Sequence, residues 1–233
     1  MGRFDEIKEE LNHMVNRQFE SPEFNHFLNI KWTLPRARFY LIHNSLYVKN
    51  RRDCWGYVLG ASPLDVKAIV WEHEKEELIN DPRCGTDHFT LCIRQGESIG
   101  LKKEDIVGAE PIPAARATFY AWIHLAKDRP WIEALASSSI LERRNNGQIV
   151  KGGGLSGRIG KQWREDLGLE WSQMPAQDVH RSADEAHSDM MEDIFTRHVN
   201  SDDAGAAVLH AAGESLAIDR AFRGALADEM ERL

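Results

Sequence analysis

Apolar residues recur at helical spacing in almost every periodic segment of this 233-residue chain, and no convincing strand pair interrupts them. Phe4, Ile7, Leu11, Met14 and Val15 form one stripe. Leu34-Pro35 opens a second helix that carries Phe39, Ile42, His43, Leu46 and Tyr47. Ser62-Pro63 has the cap-and-first-turn signature of a third, running through Val66, Ile69, Val70, His73 and Glu77. Asp81-Pro82-Arg83 and Gly85 break that pattern before a fourth helix with Leu91, Ile93 and Ile99. Pro111 and Pro113 open a fifth, and Pro130 a sixth that carries Leu135, Ile140, Leu141 and Glu142. Further helices are predicted from about Ala176 to His198 and from about Asp203 to Leu233. Residues 144–160, rich in glycine and asparagine, read as a mobile loop. The expectation is one all-α domain over residues 1–233, a bundle of seven to eight helices.

Composition narrows the function classes. The chain is 42% hydrophobic and 28% charged, as an ordinary globular protein is. A net charge of −8 with scattered basic residues argues against nucleic-acid binding. Cys54, Cys84 and Cys92 form no C-x-x-C pair, which points to free thiols and a cytoplasmic setting. The N-terminus is charged from Arg3 onward and lacks the apolar core of a signal peptide. No apolar run is long enough to span a membrane.

One helix carries chemistry. His180, Asp184 and His187 stand at i, i+4 and i+7, within roughly a 60° arc of one helical face. Two imidazoles and a carboxylate on one stripe are a ligand set for zinc or non-heme iron. Glu77 continues an apolar stripe, an expensive place for a carboxylate unless it is paired, protonated or metal-bound. His88 comes eleven residues later; an unbroken helix would hold the two about 16 Å apart. The Pro82 and Gly85 interruption provides the bulge that could bring them together. Glu142 ends another apolar run, and no cysteine cluster competes for metal. Glu77, His88, Glu142, His180, Asp184 and His187 are thus a nitrogen–oxygen set suited to two iron or manganese ions.

At these residues the chain resembles the heme-oxygenase-like diiron oxidases, relatives of pyrroloquinoline quinone synthase and of the chlamydial protein associating with death domains. His180, Asp184 and His187 match the family's H-x-x-x-D-x-x-H helix. Glu72-His73-Glu74-Lys75-Glu76-Glu77 stands at the family's first acidic motif, with Glu77 on the ligand carboxylate and His88 on the following His after a short insertion. Glu142 comes after the small-residue run Ala136 to Leu141, as the family's middle Glu does. Asn29 occupies the position where the chlamydial protein carries a Tyr consumed as substrate, which argues against a self-sacrificing synthase.

The resemblance implies two Fe(II) ions as cofactors, O2 as co-substrate, and a small carboxylic acid as substrate, an amino acid or derivative before a fatty acid. Arg143, Arg144, Lys151 and Arg158 are candidate anchors for its carboxylate, and Tyr40, Tyr47, Trp122 and Trp131 candidate walls. No nucleic-acid or membrane partner is expected, and a homodimer is the default assembly. Two other readings compete: a metal-independent oxidase or thiaminase-like enzyme on the same fold, which would want a nucleophilic Cys, and a non-enzymatic partner-binding helical protein.

Overall fold

A computed structural model of the chain describes the backbone of residues 3–233, and the side chains of residues 4–180 and 191–233. Among the described residues there are eleven α-helices and one 3-10 turn, and the nearest thing to a strand is a single antiparallel bridge between Asp81 and Thr86. The all-α class is as expected; the helices are more finely divided. Along the chain lie α1 (Arg3–Gln18), α2 (Pro22–Asn29), α3 (Leu34–Ala61), α4 (Leu64–Leu78), α5 (His88–Ser98), α6 (Lys103–Val107), α7 (Pro113–Asp128), α8 (Trp131–Arg143), α9 (Leu155–Leu167), α10 (Pro175–His198) and α11 (Asp202–Glu231), with the 3-10 turn at Trp171–Gln173.

Local chemistry sets the helix starts. Thr33, Ser21, Asp87 and Ser201 each accept a backbone N–H three residues on, and Pro sits in the first turn of α2, α3, α7 and α10. Two helices form the centre. In α8 every residue from Ala134 to Arg143 is buried, and Ser137, Ser138 and Ser139 keep its girth small. In α3 the buried residues run from Ala37 to Val58 around several faces, and α3 packs on α4, α5, α7 and α8. The longest helix, α11, lies along α8, α7, α2 and α1. Phe222 on α11 stacks on Tyr47 at 5.7 Å and meets Trp122 at 5.9 Å, so helices far apart in sequence share one aromatic cluster. Each such ring removed from water contributes roughly 1.5–3 kcal/mol. Ser215 ties the same layers by polar contacts: it accepts from the Trp122 indole at 3.1 Å and donates to the Ser137 carbonyl at 2.6 Å.

The segment read as a mobile loop is shorter than predicted and tied down. It runs from Arg144 to Gly154, after which α9 begins. Asn16 donates to the Ile149 carbonyl and accepts from the Lys151 N–H. Gly152 and Gly153 have φ of 83° and 95°, and a Cβ on Gly154 would stand 1.8 Å from the Asn145 carbonyl oxygen. The glycines serve a tight closure, not looseness. Among the described residues no helix is long and apolar enough to cross a membrane.

Candidate metal centre

The α4–α5 junction decides whether Glu77 and His88 can meet. The helix does not bulge; it stops and restarts. α4 ends at Leu78, Pro82 cannot continue a helix, and Gly85 turns the chain at φ 68°. The Asp81–Thr86 bridge closes the excursion. Asp87 then caps α5, accepting from the Thr90 N–H at 2.8 Å, and His88 becomes the first residue of the new helix. The outcome is contact: His88 Nδ1 lies 2.9 Å from Glu77 Oε1. The other ring nitrogen, Nε2, donates to Asp81 Oδ2 at 2.9 Å. Asp81, fully buried, is fixed in turn by the Arg83 backbone and guanidinium.

The acidic run of α4 splits by face. Glu72 is exposed and Glu76 partly so, whereas Glu74 and Glu77 are buried. Arg52 on α3 meets both buried carboxylates, at 2.8 Å from Glu74 and 3.0 Å from Glu77. One guanidinium does not serve two buried carboxylates equally. Burial opposes ionisation of Glu77, yet Arg52 and His88 hold its carboxyl well below the usual range. Glu74 goes the other way: burial, with Glu77 and Glu142 nearby, outweighs Arg52 and pushes it up to about 8. Glu74 therefore holds a proton near neutral pH despite its short contact with Arg52. Burial by itself would pull His88 down, but Glu77 and Asp81 outweigh it and push the imidazole up to about 10. Burial of Asp81 is likewise overcome, by His88 and Arg83, and its carboxyl stays well below the usual range.

Glu77, Glu142 and His180 share the wall of one partly open cavity of about 50 Å³ between α3, α4, α8, α9, α10 and α11. Glu142 is buried, and His180 is half-buried with its ring edge-on to His88, centroids 4.6 Å apart. The side chains of Asp184 and His187 lie outside the described residues; the helix that carries them, α10, packs on α8, α5 and α4. Among the described residues, one group of three donors lies within 4.8 Å of one another, and it is Asp81, Cys84 and His88. Cys84 Sγ there also approaches the Thr86 and Asp81 carbonyls, at 3.3 and 3.6 Å, so this group frames the turn that presents His88.

Of the substrate-side residues expected from sequence, the structure brings three to the cavity. Tyr40, Tyr47 and Arg144 line it. The others are placed elsewhere, each with a visible reason. Arg143 turns to the opposite side of α8, donating to Asn12 and Glu192 at 2.8 Å each. Arg158 lies over the Phe19 ring and donates to the Gly153 and Lys151 carbonyls, which closes the glycine loop. Lys151 is exposed. Trp131 stands edge-on to His198, and Trp122 is core. Sequence reading also missed residues that the cavity needs: Arg51, Arg52, Asn44 and Arg223 line it, and Asp219 pairs with Arg144 and Arg223 beside it.

The donor chemistry fits a first-row divalent ion such as iron. With bonds near 2.1 Å, two neighbouring ligands on one ion stand about 3 Å apart, the spacing of His88 Nδ1 and Glu77 Oε1. Asp81 on the far nitrogen is the carboxylate–histidine arrangement that orients ligating imidazoles. Two of the three thiols stand away from this chemistry. Cys54 and Cys92 are buried, their thiols pushed up by desolvation, Cys92 to about 12, and neither lines the cavity.

Comparisons with known proteins agree with this architecture. A structure from Shewanella denitrificans, a domain of unknown function with a heme oxygenase-like fold, superimposes with a TM-score of 0.74 at 16% identity, over 98% of this chain and 92% of that one. A CADD-like protein of unknown function from Nostoc punctiforme gives 0.76 at 15% identity, over 97% of each chain. A TenA homologue from P. horikoshii gives 0.61 at 14% identity, over 96% of this chain and all of that one. At such identities the likeness establishes the heme oxygenase-like fold. No curated protein matches the chain. A family model described as iron-containing redox enzyme matches residues 38–220, which span α3 to α11 and every residue of the candidate centre, and the chain belongs to that family of iron-containing redox enzymes.

Proposed function

We propose that the chain is a non-heme diiron, O2-dependent oxidase or oxygenase acting on a small carboxylic acid, an amino acid or derivative, by N-oxygenation or oxidative C–C cleavage in a biosynthetic pathway. The observation that carries the reading is the meeting of Glu77 and His88 at 2.9 Å with Asp81 behind the imidazole. Glu77 and His88 with His180 would hold one ferrous ion; Glu142 with Asp184 and His187 would hold the other. Two ferrous ions, where bound, would supply the electrons and the O2 binding that a helical protein lacks. The chain's own residues do the rest. Asp81 keeps a proton on His88 Nε2, which leaves Nδ1 turned toward Glu77. Arg52 balances the Glu77 charge and would share that carboxylate with a bound cation. Tyr40, Tyr47 and Leu141 narrow the cavity and restrict water.

Anaerobic titration with ferrous iron tests the reading. Uptake should saturate near two ions per chain, and Glu77→Ala combined with His88→Ala should reduce it to about one. Absence of tight iron uptake by the unaltered chain would sink it, and full turnover after chelation would favour a metal-independent enzyme instead.

A further inference from the structure

Four arginines, Arg51, Arg52, Arg144 and Arg223, line the cavity beside the candidate centre, and Arg51 differs from the rest. Arg51, on α3 one turn beyond Tyr47, is only 3% exposed and lines it. Among the described residues its Nε and Nη2 have no hydrogen-bond partner. Its indole neighbour, Trp122, lies 5.9 Å away and offers a face, not an acceptor. A buried guanidinium with two donors that no described protein group accepts is an expensive feature, because a charge taken out of water is costly until it is paired. Arg144 and Arg223 line the same cavity, and both draw on one buried carboxylate, Asp219, at 2.8 and 3.2 Å. Gln18 takes a further share of that carboxylate at 2.6 Å. Asp219 is thus shared among three donors, and Arg51 is not one of them.

We infer that Arg51 is the anchor for the carboxylate of the substrate. Nε and Nη2 form one edge of the guanidinium, and that two-donor edge matches the two oxygens of a carboxylate. The walls suit the body of such an acid: Tyr40, Tyr47, Val48 and Leu155 are aromatic or aliphatic, and the space admits a small molecule only. Asn44, which accepts from the Tyr40 hydroxyl at 3.2 Å, stands in the same wall. Glu77, Glu142 and His180 line the same cavity, so an acid held by Arg51 lies beside the residues assigned to iron. The inference deepens the diiron reading and rests on it for the reaction, though not for the binding.

Benzoate and benzamide, nearly equal in shape and different in charge, separate the two. Calorimetric titration of the full chain, metal-free and anaerobically iron-loaded, should detect benzoate and not benzamide. Arg51→Gln should weaken benzoate at least tenfold while ferrous uptake stays at the level of the unaltered chain; Arg51→Lys, which keeps the charge but not the two-donor edge, should fall between. Equal binding of benzoate and benzamide, or undiminished benzoate binding by both variants, overturns the anchor. Inorganic phosphate binding more tightly than benzoate overturns the carboxylate class. The benzoate–benzamide contrast in the unaltered chain stands even where a variant does not fold. Benzoate binding without iron uptake keeps the anchor and removes the diiron reading; iron uptake without benzoate binding does the reverse.

Discussion

His88 carries the chemistry of the candidate centre because two carboxylates hold it from opposite sides. Glu77 meets Nδ1 and Asp81 meets Nε2, each at 2.9 Å. Only the Asp81 side is free to remain when a metal takes Nδ1, so Asp81 acts as a positioning residue. Asp81→Asn keeps the size and weakens the acceptor. It should lower ferrous affinity at the His88 side by about 10–100-fold, the range for removed orienting carboxylates, with little change in the ion assigned to Glu142. Competition with a coloured chelator reads both affinities, and an equal loss at the two ions would mark Asp81 as merely structural. His88 is legible in the sequence by its spacing from Glu77 across the Pro82 and Gly85 interruption, and Glu77 by its type and its place on an apolar stripe. Arg51 and the pair Asp219 and Arg223 carry the same signal. Arg51 stands four residues after Tyr47 on the inward face of α3, and Asp219 and Arg223 continue the run Ala212, Leu216, Leu226 and Met230 on α11. A charge inside an apolar stripe marks a buried pair or a ligand. Arg143, Lys151 and Arg158 stand closer to Glu142 in sequence, but that nearness does not survive the turn of a helix. At about 100° per residue Arg143 leaves the Glu142 face, while Arg144 stands past the last residue of α8, where the chain turns and its side chain lines the cavity.

At the scale of elements, the site depends on how α4 ends and α5 begins. Spacing alone could say that Glu77 and His88 needed an interruption, and Pro82 and Gly85 supplied it. It could not say that the chain would close on itself through the Asp81–Thr86 bridge and restart with His88 in the first turn, because the spacing of residue types does not encode which backbone groups within 81–86 pair. Asp87 is the hinge pin of that restart. Its carboxylate accepts from the Thr90 N–H at 2.8 Å and from the Thr90 hydroxyl at 2.6 Å. Asp87→Ala removes the cap and should cost about 0.5–2 kcal/mol of stability. For a chain of this size that is a fall in Tm of roughly 1–8 °C, readable by calorimetry. Asp87→Ser, which keeps an acceptor, should recover most of it; a serine variant as unstable as the alanine one would show that the cap is not the cause. Ferrous binding at the His88 side should weaken with the alanine variant and recover with serine. The glycine loop teaches the opposite lesson. Its composition suggests looseness, and its glycines are there for positive φ and for the close approach of Gly154 to Asn145.

The whole molecule encloses an ionisable cluster whose charge state must respond to pH, and two of its groups act in the same direction. His88 titrates near 6.5 when unfolded and near 10 when folded. Its stabilising contribution is complete below pH 6.5 and is lost as the pH rises through about 10. Glu74 has an ordinary value of 4.5 and a folded value near 8. Between those limits the folded chain holds a proton that the unfolded chain has released, so stability again falls as pH rises. Glu77 and Asp81, held low, act with the opposite sign but only in acid, below their ordinary values of 4.5 and 3.8. His43, lowered by burial, matters below 6.5. From pH 6.5 upward the first two groups therefore govern. Each excess proton on the folded chain changes stability by about 1.4 kcal/mol per pH unit, which for this size is roughly 3–5 °C in Tm. Metal-free protein should lose Tm steadily from pH 6.5 to about 9. Glu74→Gln should flatten the stretch between 6.5 and 8 and leave the later fall in place; His88→Gln should remove most of what remains. Iron-loaded protein should show the reverse slope over the same range, since a metal on Nδ1 requires that proton to leave and binds more tightly as pH rises. Scanning calorimetry of both forms across this window checks the signs, and a metal-free Tm that rises from pH 6.5 to 9 would mean that His88, Glu77 and Asp81 are not charged together in the folded chain.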